Sequence, residues 1–201
     1  GHTVVGLARS DANEAALKAM GASVLRGSLE DLDSLRKGAA ESDGVIHLAF
    51  VHDFAKFAEN GQIDKRAIEA MGETLAGTNK PMVVTSGVGL LAPGRLSTEE
   101  DVARVGEAIP RVSESAAYAF AGRGVRVSAV RLPQVHGETG KAGFVGYLVQ
   151  IAQQKGVSAY VGDGSNRWAA AHRADVAPVY RLALEKGVAG ACYHAVGDEG
   201  V

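Results

Sequence analysis

Cysteine is nearly missing from this sequence: Cys192 is the only one in 201 residues. That excludes a disulfide framework and any Cys-rich zinc module, and a lone thiol fits a reducing compartment, so a cytoplasmic protein is expected. Aromatic residues make up only 5%, which leaves the core to Ala, Val and Leu. A charge excess is missing too. With 21 basic against 23 acidic side chains the net charge is -2, which argues against a nucleic-acid partner and against an acidic tail. Apolar runs are broken by Gly, His or a charged residue well before about 18 positions, so no membrane span or membrane partner is expected. No secretory signal is visible. The six histidines are scattered without H-x-x-x-H spacing, so no metal site is expected. G-x-S-x-G is absent, which argues against a nucleophile-elbow hydrolase, and there is no Walker A sequence.

What remains is a glycine-rich chain, with 26 glycines and 46% hydrophobic residues, long enough to bury a core without a covalent staple. His2–Ala8 is a β-branched strand candidate. Ser10 or Asp11 caps a helix to about Met20, which Gly21 stops. Ser23–Arg26 is a second strand, and Ser28 to Asp31 has capping-box spacing for a helix reaching about Glu41. Val45–Phe50 is a third strand, followed by a helical stretch over Phe54–Ala76 weakened by Gly61. Pro81–Ser86 is a fourth strand, and Glu99–Arg123 is mostly helical, broken at Pro110. Val125–Leu132 is a fifth strand, Phe144–Lys155 a helix, Ser158–Val161 a short strand, Ala174–Lys186 a helix and Cys192–Val196 a last strand. The alternation predicts one α/β domain over residues 1–201: a Rossmann-like, doubly wound, mostly parallel sheet with helices on both faces. Ligands of such sheets lie beyond the carboxyl ends of the strands.

Those strand ends, in order, resemble the extended and atypical short-chain dehydrogenase/reductases, the NAD(P)-dependent epimerase/dehydratase family. GHTVVGLAR is similar to the family's second strand, GSLEDLDSL to its G-D-L-x-D segment, and VIHLAF to its V-x-H-x-A-A. VVTSG resembles the fourth strand with its active-site Ser/Thr, VRVSAVRLPQVHG the R-x-x-x-V-Y-G stretch, and WAAAHRADVAPVYRLALE the helix entry W-x-x-V-H-V-x-D-V-A. The resemblance spans essentially the whole chain. It implies hydride transfer between a nicotinamide cofactor and a small-molecule carbonyl, alcohol or sugar-nucleotide-like substrate.

Two departures qualify it. The family's first strand and Gly-x-x-Gly-x-x-Gly turn would precede Gly1, and its C-terminal substrate lobe would follow Val201, so the chain resembles an internal piece of a longer protein. The family's Tyr and Lys acid/base pair is also missing. Aligning Glu114 with the Glu that follows that Lys puts Gly106 and Pro110 at the two positions, and Tyr118 has Gly122 four residues on. The proton is then left to water or to a residue beyond this sequence. A dinucleotide-binding sensor or partner-binding protein without the dyad is the alternative.

The resemblance also assigns roles. Arg9 stands where an acid would hold the ribose of NAD, so it implies pairing with a 2′-phosphate and NADP preferred over NAD; a solvated strand-end Arg is the plain reading. Ser28 and Leu29 border the adenine, with Ser28 also a helix-cap candidate. Ala49 and Phe50 wall the ribose and pyrophosphate, and His47 is read as a core-edge histidine ahead of an acid. Thr85 and Pro133 border the nicotinamide region. Ser86 is the catalytic candidate, polarising a substrate carbonyl, or else a hydroxyl closing a strand end. Val51, His136 and Arg173 are substrate-binding candidates, with His172 an alternative to Arg173 and Asp175 the expected helix cap. Gly87 to Ala92 matches G-x-G-x-x-A, but Pro93 and Gly94 prevent a helix there, so the match is rejected.

Overall fold

Met82 and Val84 pack into one apolar cluster and Val83 into another, and all three are fully buried. Side chains alternating between two covered faces mark a central strand of a sheet with helices on both sides. The computed structural model describes residues 1–91, 94–104, 111–137 and 143–200. In chain order these form β1 (Val5–Ala8), α1 (Asp11–Ala19), β2 (Ser23–Arg26), α2 (Leu32–Ala40), β3 (Val45–His47), α3 (Phe57–Leu75), β4 (Pro81–Gly87) and α4 (Ser113–Tyr118). There follow β5 (Arg126–Leu132), β6 (Gln134–His136), α5 (Gly143–Lys155), β7 (Ala170–His172), α6 (Arg173–Lys186) and β8 (Ala191–His194).

The described strands make three ladders, β1-β2, β3-β4-β5-β8 and β6-β7, and every pairing within them is parallel. One face of the four-stranded sheet is covered by α2, α3 and α4 through Leu35, Ile68, Met71, Leu75 and Ala117. The other is covered by α6 through Val176, Tyr180 and Ala183. This is the doubly wound α/β architecture expected from the alternation. Helix α3 comes so near the chain after α4 that a Cβ on Gly72 would lie 2.5 Å from the Phe120 ring. β1 and β3 each keep one edge without a partner strand among the described residues, and Val4, Val5 and Leu48 nearby are more than half exposed.

Several boundaries differ from expectation for local reasons. Ser10 caps α1 by accepting from Asn13 N–H at 3.3 Å, and Gly21 ends the helix region at φ 81°. α2 is capped by Asp31 rather than Ser28, because the Asp31 carboxylate accepts from Ser34 N–H at 3.2 Å; the Ser28 hydroxyl serves the turn before it. The third strand stops at His47 instead of Phe50, since the His47 carbonyl accepts from the Thr85 hydroxyl at 2.8 Å. The stretch after it divides into a 3-10 turn, Phe54–Lys56, capped by Asp53, and then α3; Gly61 lies buried within that helix without breaking it.

The helix expected over Glu99–Arg123 is reduced, among the described residues, to α4 and a 3-10 turn. Asp101 accepts from Thr98 N–H at 2.8 Å and pairs with Arg95, folding the start of that segment into a turn. The Ser158–Val161 strand does not form; those residues are exposed, and the Val161 carbonyl instead accepts from Gly164 N–H at 3.0 Å in a turn. β6 and β7 arise unforeseen, pairing Gln134 with Ala170 and His136 with His172. At α6 the cap is His172, whose Nδ1 accepts from Ala174 N–H at 3.3 Å, so Asp175 is a first-turn acid and not the cap.

Candidate functional site

At the carboxyl end of β4 two neighbouring hydroxyls have opposite fates. The Thr85 hydroxyl donates to the His47 carbonyl and bonds the Tyr180 hydroxyl at 2.7 Å, so it is used entirely inside the protein. Ser86 is 2% exposed, and its Oγ has no hydrogen-bond partner of regular geometry among the described residues. It lies close enough to the Glu114 carboxylate to help hold that group's pKa down. Burying a hydroxyl without a partner costs on the order of 1–3 kcal/mol, so its retention calls for an explanation. Ser128 Oγ is in the same condition, but it lies within β5, close beneath Gly187. Ser86 instead lines a cavity of about 320 Å³, with Leu90, Arg111, Glu114, Tyr118, Arg131 and Cys192 among its walls. A larger hollow of about 710 Å³ lies between the outer sides of α2, α3 and α4, lined by Arg36, Lys65, Glu69 and Glu73, away from the strand ends. The smaller cavity is the candidate site, because it holds the unsatisfied hydroxyl and lies where strand ends and loops meet.

Its floor is an ion pair. Arg131 on β5 donates from Nε and Nη2 to the two carboxylate oxygens of Glu114 on α4, both at 2.8 Å, and both residues are buried. Burial pushes the Glu114 carboxyl up, but Arg131 and the Ser86 hydroxyl outweigh it and leave the group below its ordinary value. Arg131 Nη1 also lies 3.3 Å from His194 Nε2, and burial and that positive charge hold the imidazole below its usual range. Burial pushes the Cys192 thiol up to about 11, and it raises the Tyr118 phenol as well. Tyr118 donates to the Ala191 carbonyl at 3.2 Å.

A second network joins α3 to the cavity. Asp64, almost wholly buried, meets His47 Nε2 at 2.7 Å and accepts from the Ser113 hydroxyl at 2.5 Å. Ser113 Oγ in turn accepts from Arg111 Nε at 3.1 Å, and Arg111 Nη2 donates to the Thr85 carbonyl at 3.0 Å. The Arg111 guanidinium lies over the Phe50 ring, 4.3 Å from its centre. Burial pulls its pKa down against the attraction of Asp64, Tyr180 and Glu114.

The structure therefore brings Ser86, Thr85 and Phe50 around Arg111, and of the expected site residues only Ser86 lines the cavity. Arg9 is exposed at the end of β1, with no charged partner among the described residues. Ser28 lies after β2, and the side chain of Leu29 packs against the core. Ala49 is exposed, Val51 half-buried and Pro133 buried. His136 faces the His172 ring at 5.5 Å, while the Arg173 side chain runs so close to Gly137 that a Cβ there would meet its Cδ at 2.9 Å. His47 proves to be buried, with Asp64 as partner. Gly106, Pro110 and Pro93 lie outside the described residues. Arg111, Ser113, Asp64 and Tyr180 were not foreseen. The one signal for Asp64 was an acid set among Ile63, Ala67 and Ile68 on a helix face.

Compared with solved structures, the chain superposes on a dTDP-glucose 4,6-dehydratase of Streptomyces venezuelae that carries NAD, with a TM-score of 0.78 and 20% identity over 99% of this chain and 67% of that one. It matches a nucleoside-diphosphate-sugar epimerase of Pseudomonas aeruginosa at 0.77 and 16%, over 100% of this chain and 66% of that one. A short-chain dehydrogenase/reductase superfamily protein of Agrobacterium tumefaciens with bound NAD matches at 0.73 and 16%, over 100% and 79%. The chain therefore shares the Rossmann-like fold of these dehydratase, epimerase and short-chain dehydrogenase/reductase structures. No family model matches the chain. It is 49% identical over 205 residues to the uncharacterized protein YLL056C of Saccharomyces cerevisiae and 50% identical over 205 residues to the uncharacterized protein C2A9.02 of Schizosaccharomyces pombe, covering 100% of this chain and 68% of each relative. The chain belongs to the family of these two yeast proteins. It spans about two thirds of their length.

Proposed function

We propose that the chain is the cofactor-binding part of an NAD(P)-dependent oxidoreductase or epimerase/dehydratase-like enzyme acting on a small carbonyl, alcohol or sugar-nucleotide-like substrate. The observation that carries this reading is Ser86: a buried hydroxyl without a regular hydrogen-bond partner among the described residues, near the Glu114 carboxylate, at the carboxyl end of a central strand and opening on a cavity. A donor held in that way is ready for an oxygen that arrives with substrate, and it strengthens its bond as negative charge grows there.

The residues present fit a dinucleotide in its adenosine half. Arg9, exposed and without a counter-ion among the described residues, ends β1, and the Gly27–Leu29 turn ends β2 beside it, with Gly27 N–H donating to the Ala8 carbonyl at 3.1 Å. Arg9 would take the 2′-phosphate of NADP, and Ser28 with the backbone of Leu29 would border the adenine. Ala49 and Phe50 follow β3, Pro133 follows β5, and they would line the remainder. Thr85, its hydroxyl committed to His47 and Tyr180, contributes by fixing the strand end. A nicotinamide held there supplies or accepts the hydride. Ser86 then donates to the reacting oxygen. The Arg131–Glu114 pair fixes the wall on which Ser86 lies, and Val51, His136 and Arg173 are left to contact substrate further out.

One observation favours a non-catalytic dinucleotide sensor instead. None of the five tyrosines has a lysine four residues on, so the usual acid/base pair is absent from this sequence. Incubating the protein with NADPH and NADH and a panel of aldehydes, ketones and sugar nucleotides separates the two readings. Oxidation of cofactor, or conversion of a sugar nucleotide without net oxidation, supports the enzyme; saturable cofactor binding with neither contradicts it.

A further inference from the structure

The proposal above leaves Arg111 without a task, and its surroundings suggest one. Two of its five N–H donors are used among the described residues, Nε on Ser113 and one Nη2 proton on the Thr85 carbonyl. Its flat face rests on Phe50. No carboxylate among the described residues forms an ion pair with it. The acids nearby are engaged elsewhere. Asp64 reaches Arg111 only through the Ser113 hydroxyl and is also bound to His47. Glu114 is taken by both nitrogens of Arg131, Asp101 by Arg95, and Glu99 accepts from the His194 N–H at 2.7 Å.

A half-buried guanidinium held by neutral groups, with its Nη1 donors unspent among the described residues, is a costly arrangement unless an anion completes it. It is also held where an anion would be useful. Arg111 lines the same cavity as Ser86, and the carbonyl it grips belongs to the residue next to Ser86. The volume of about 320 Å³ is at the lower end for small-molecule sites, which favours a compact ligand.

Resting on the oxidoreductase reading of this cavity, we infer that Arg111 binds the carboxylate of a small oxo acid or hydroxy acid, placing its carbonyl or carbinol oxygen at Ser86. The guanidinium edge suits a carboxylate, which it meets with two parallel N–H···O bonds, and Phe50 and Ser113 hold the plane in place beforehand. The same anionic-oxygen chemistry is offered by a cofactor phosphate, and the experiment separates the two.

Calorimetric titration with 2-oxobutyrate, acetoacetate and levulinate, each beside its uncharged methyl ester, tests this on the wild-type protein without and with saturating NADPH. At least one acid should bind ten times or more tighter than its ester. Arg111→Gln should abolish that preference while leaving ester binding unchanged, and Arg111→Lys should recover part of it. Thermal melting of each variant shows that it is folded, and the acid-against-ester comparison in the wild type needs no variant. Equal binding of acids and esters overturns the inference. So does an Arg111→Gln protein that keeps the preference, or one that loses NADPH affinity instead, since the guanidinium then serves the cofactor. Hydride transfer to neutral ketones without preference for acids would sink this inference and leave the oxidoreductase reading standing. Tight acid binding through Arg111 with no hydride transfer to any carbonyl would do the reverse.

Discussion

Arg131 and Glu114 meet through two parallel hydrogen bonds of 2.8 Å each, and both side chains are shielded from solvent. The pair joins β5 to α4 and gives the cavity a charged but neutralised wall. Removing one partner leaves the other charge buried and alone. Glu114→Ala is expected to destabilise the protein by about 3–5 kcal/mol, while a double replacement Arg131→Met with Glu114→Leu should recover much of that loss. Urea unfolding of the three proteins checks it, and a single variant as stable as the wild type would contradict it.

Acid sensitivity follows from the same cluster. His194 is held below its ordinary 6.5 and Glu114 below its ordinary 4.5, so each takes up protons more readily when unfolded. Folded stability is therefore full at neutral pH. His194 starts to subtract from it as pH falls below 6.5, and Glu114 as it falls below 4.5. The urea midpoint plotted against pH should show both declines. His194→Gln should remove the upper one and Glu114→Gln the lower; an unaltered profile in both variants contradicts the assignment.

How far the sequence foretold this arrangement depends on the range of the interaction. Local signals worked. Ser10 before an acidic first turn and Gly21 after α1 are neighbours in the chain, and the apolar runs of β4 and β5 are buried on both faces as their composition suggests. Ser86 could be named as a candidate because a strand end is a position in the sequence. Arg111 and Asp64 were not. Asp64 meets Ser113 across 49 residues, and nothing local marks either as the other's partner. The helix expected from Glu99 gave way to side-chain pairing of Asp101 with Arg95 and Thr98, which intrinsic propensity does not register. The paired strands β6 and β7 are three residues each, too short for a two-residue period to show.

Cys192 offers a check on the cavity wall. Its thiol is pushed up to about 11, chiefly by burial, so little thiolate exists near neutrality. Alkylation by iodoacetamide at about pH 8 should run ten- to a hundredfold slower in the folded protein than in urea. A native rate equal to the unfolded one would mean that this wall is open to solvent.

Cofactor choice in the proposed enzyme is expected to rest on Arg9. NADP should bind better than NAD, and Arg9→Ala should erase most of that difference, a charge-assisted contact of roughly 1.5–3 kcal/mol. Fluorescence titration of both cofactors against both proteins measures it. An unchanged ratio would return Arg9 to a solvated strand end.

The central claim is that the orphaned hydroxyl of Ser86 meets the reacting oxygen, and Ser86→Ala addresses it most directly. The substitution removes one buried hydroxyl that has no regular hydrogen bond among the described residues and lies near the Glu114 carboxylate, so the fold should be retained. With the carbonyl substrate that the wild type reduces fastest, kcat should fall on the order of 10²-fold while the Kd for NADPH stays within about twofold. A variant that turns over at the wild-type rate would contradict the claim and leave Ser86 a strand-end hydroxyl.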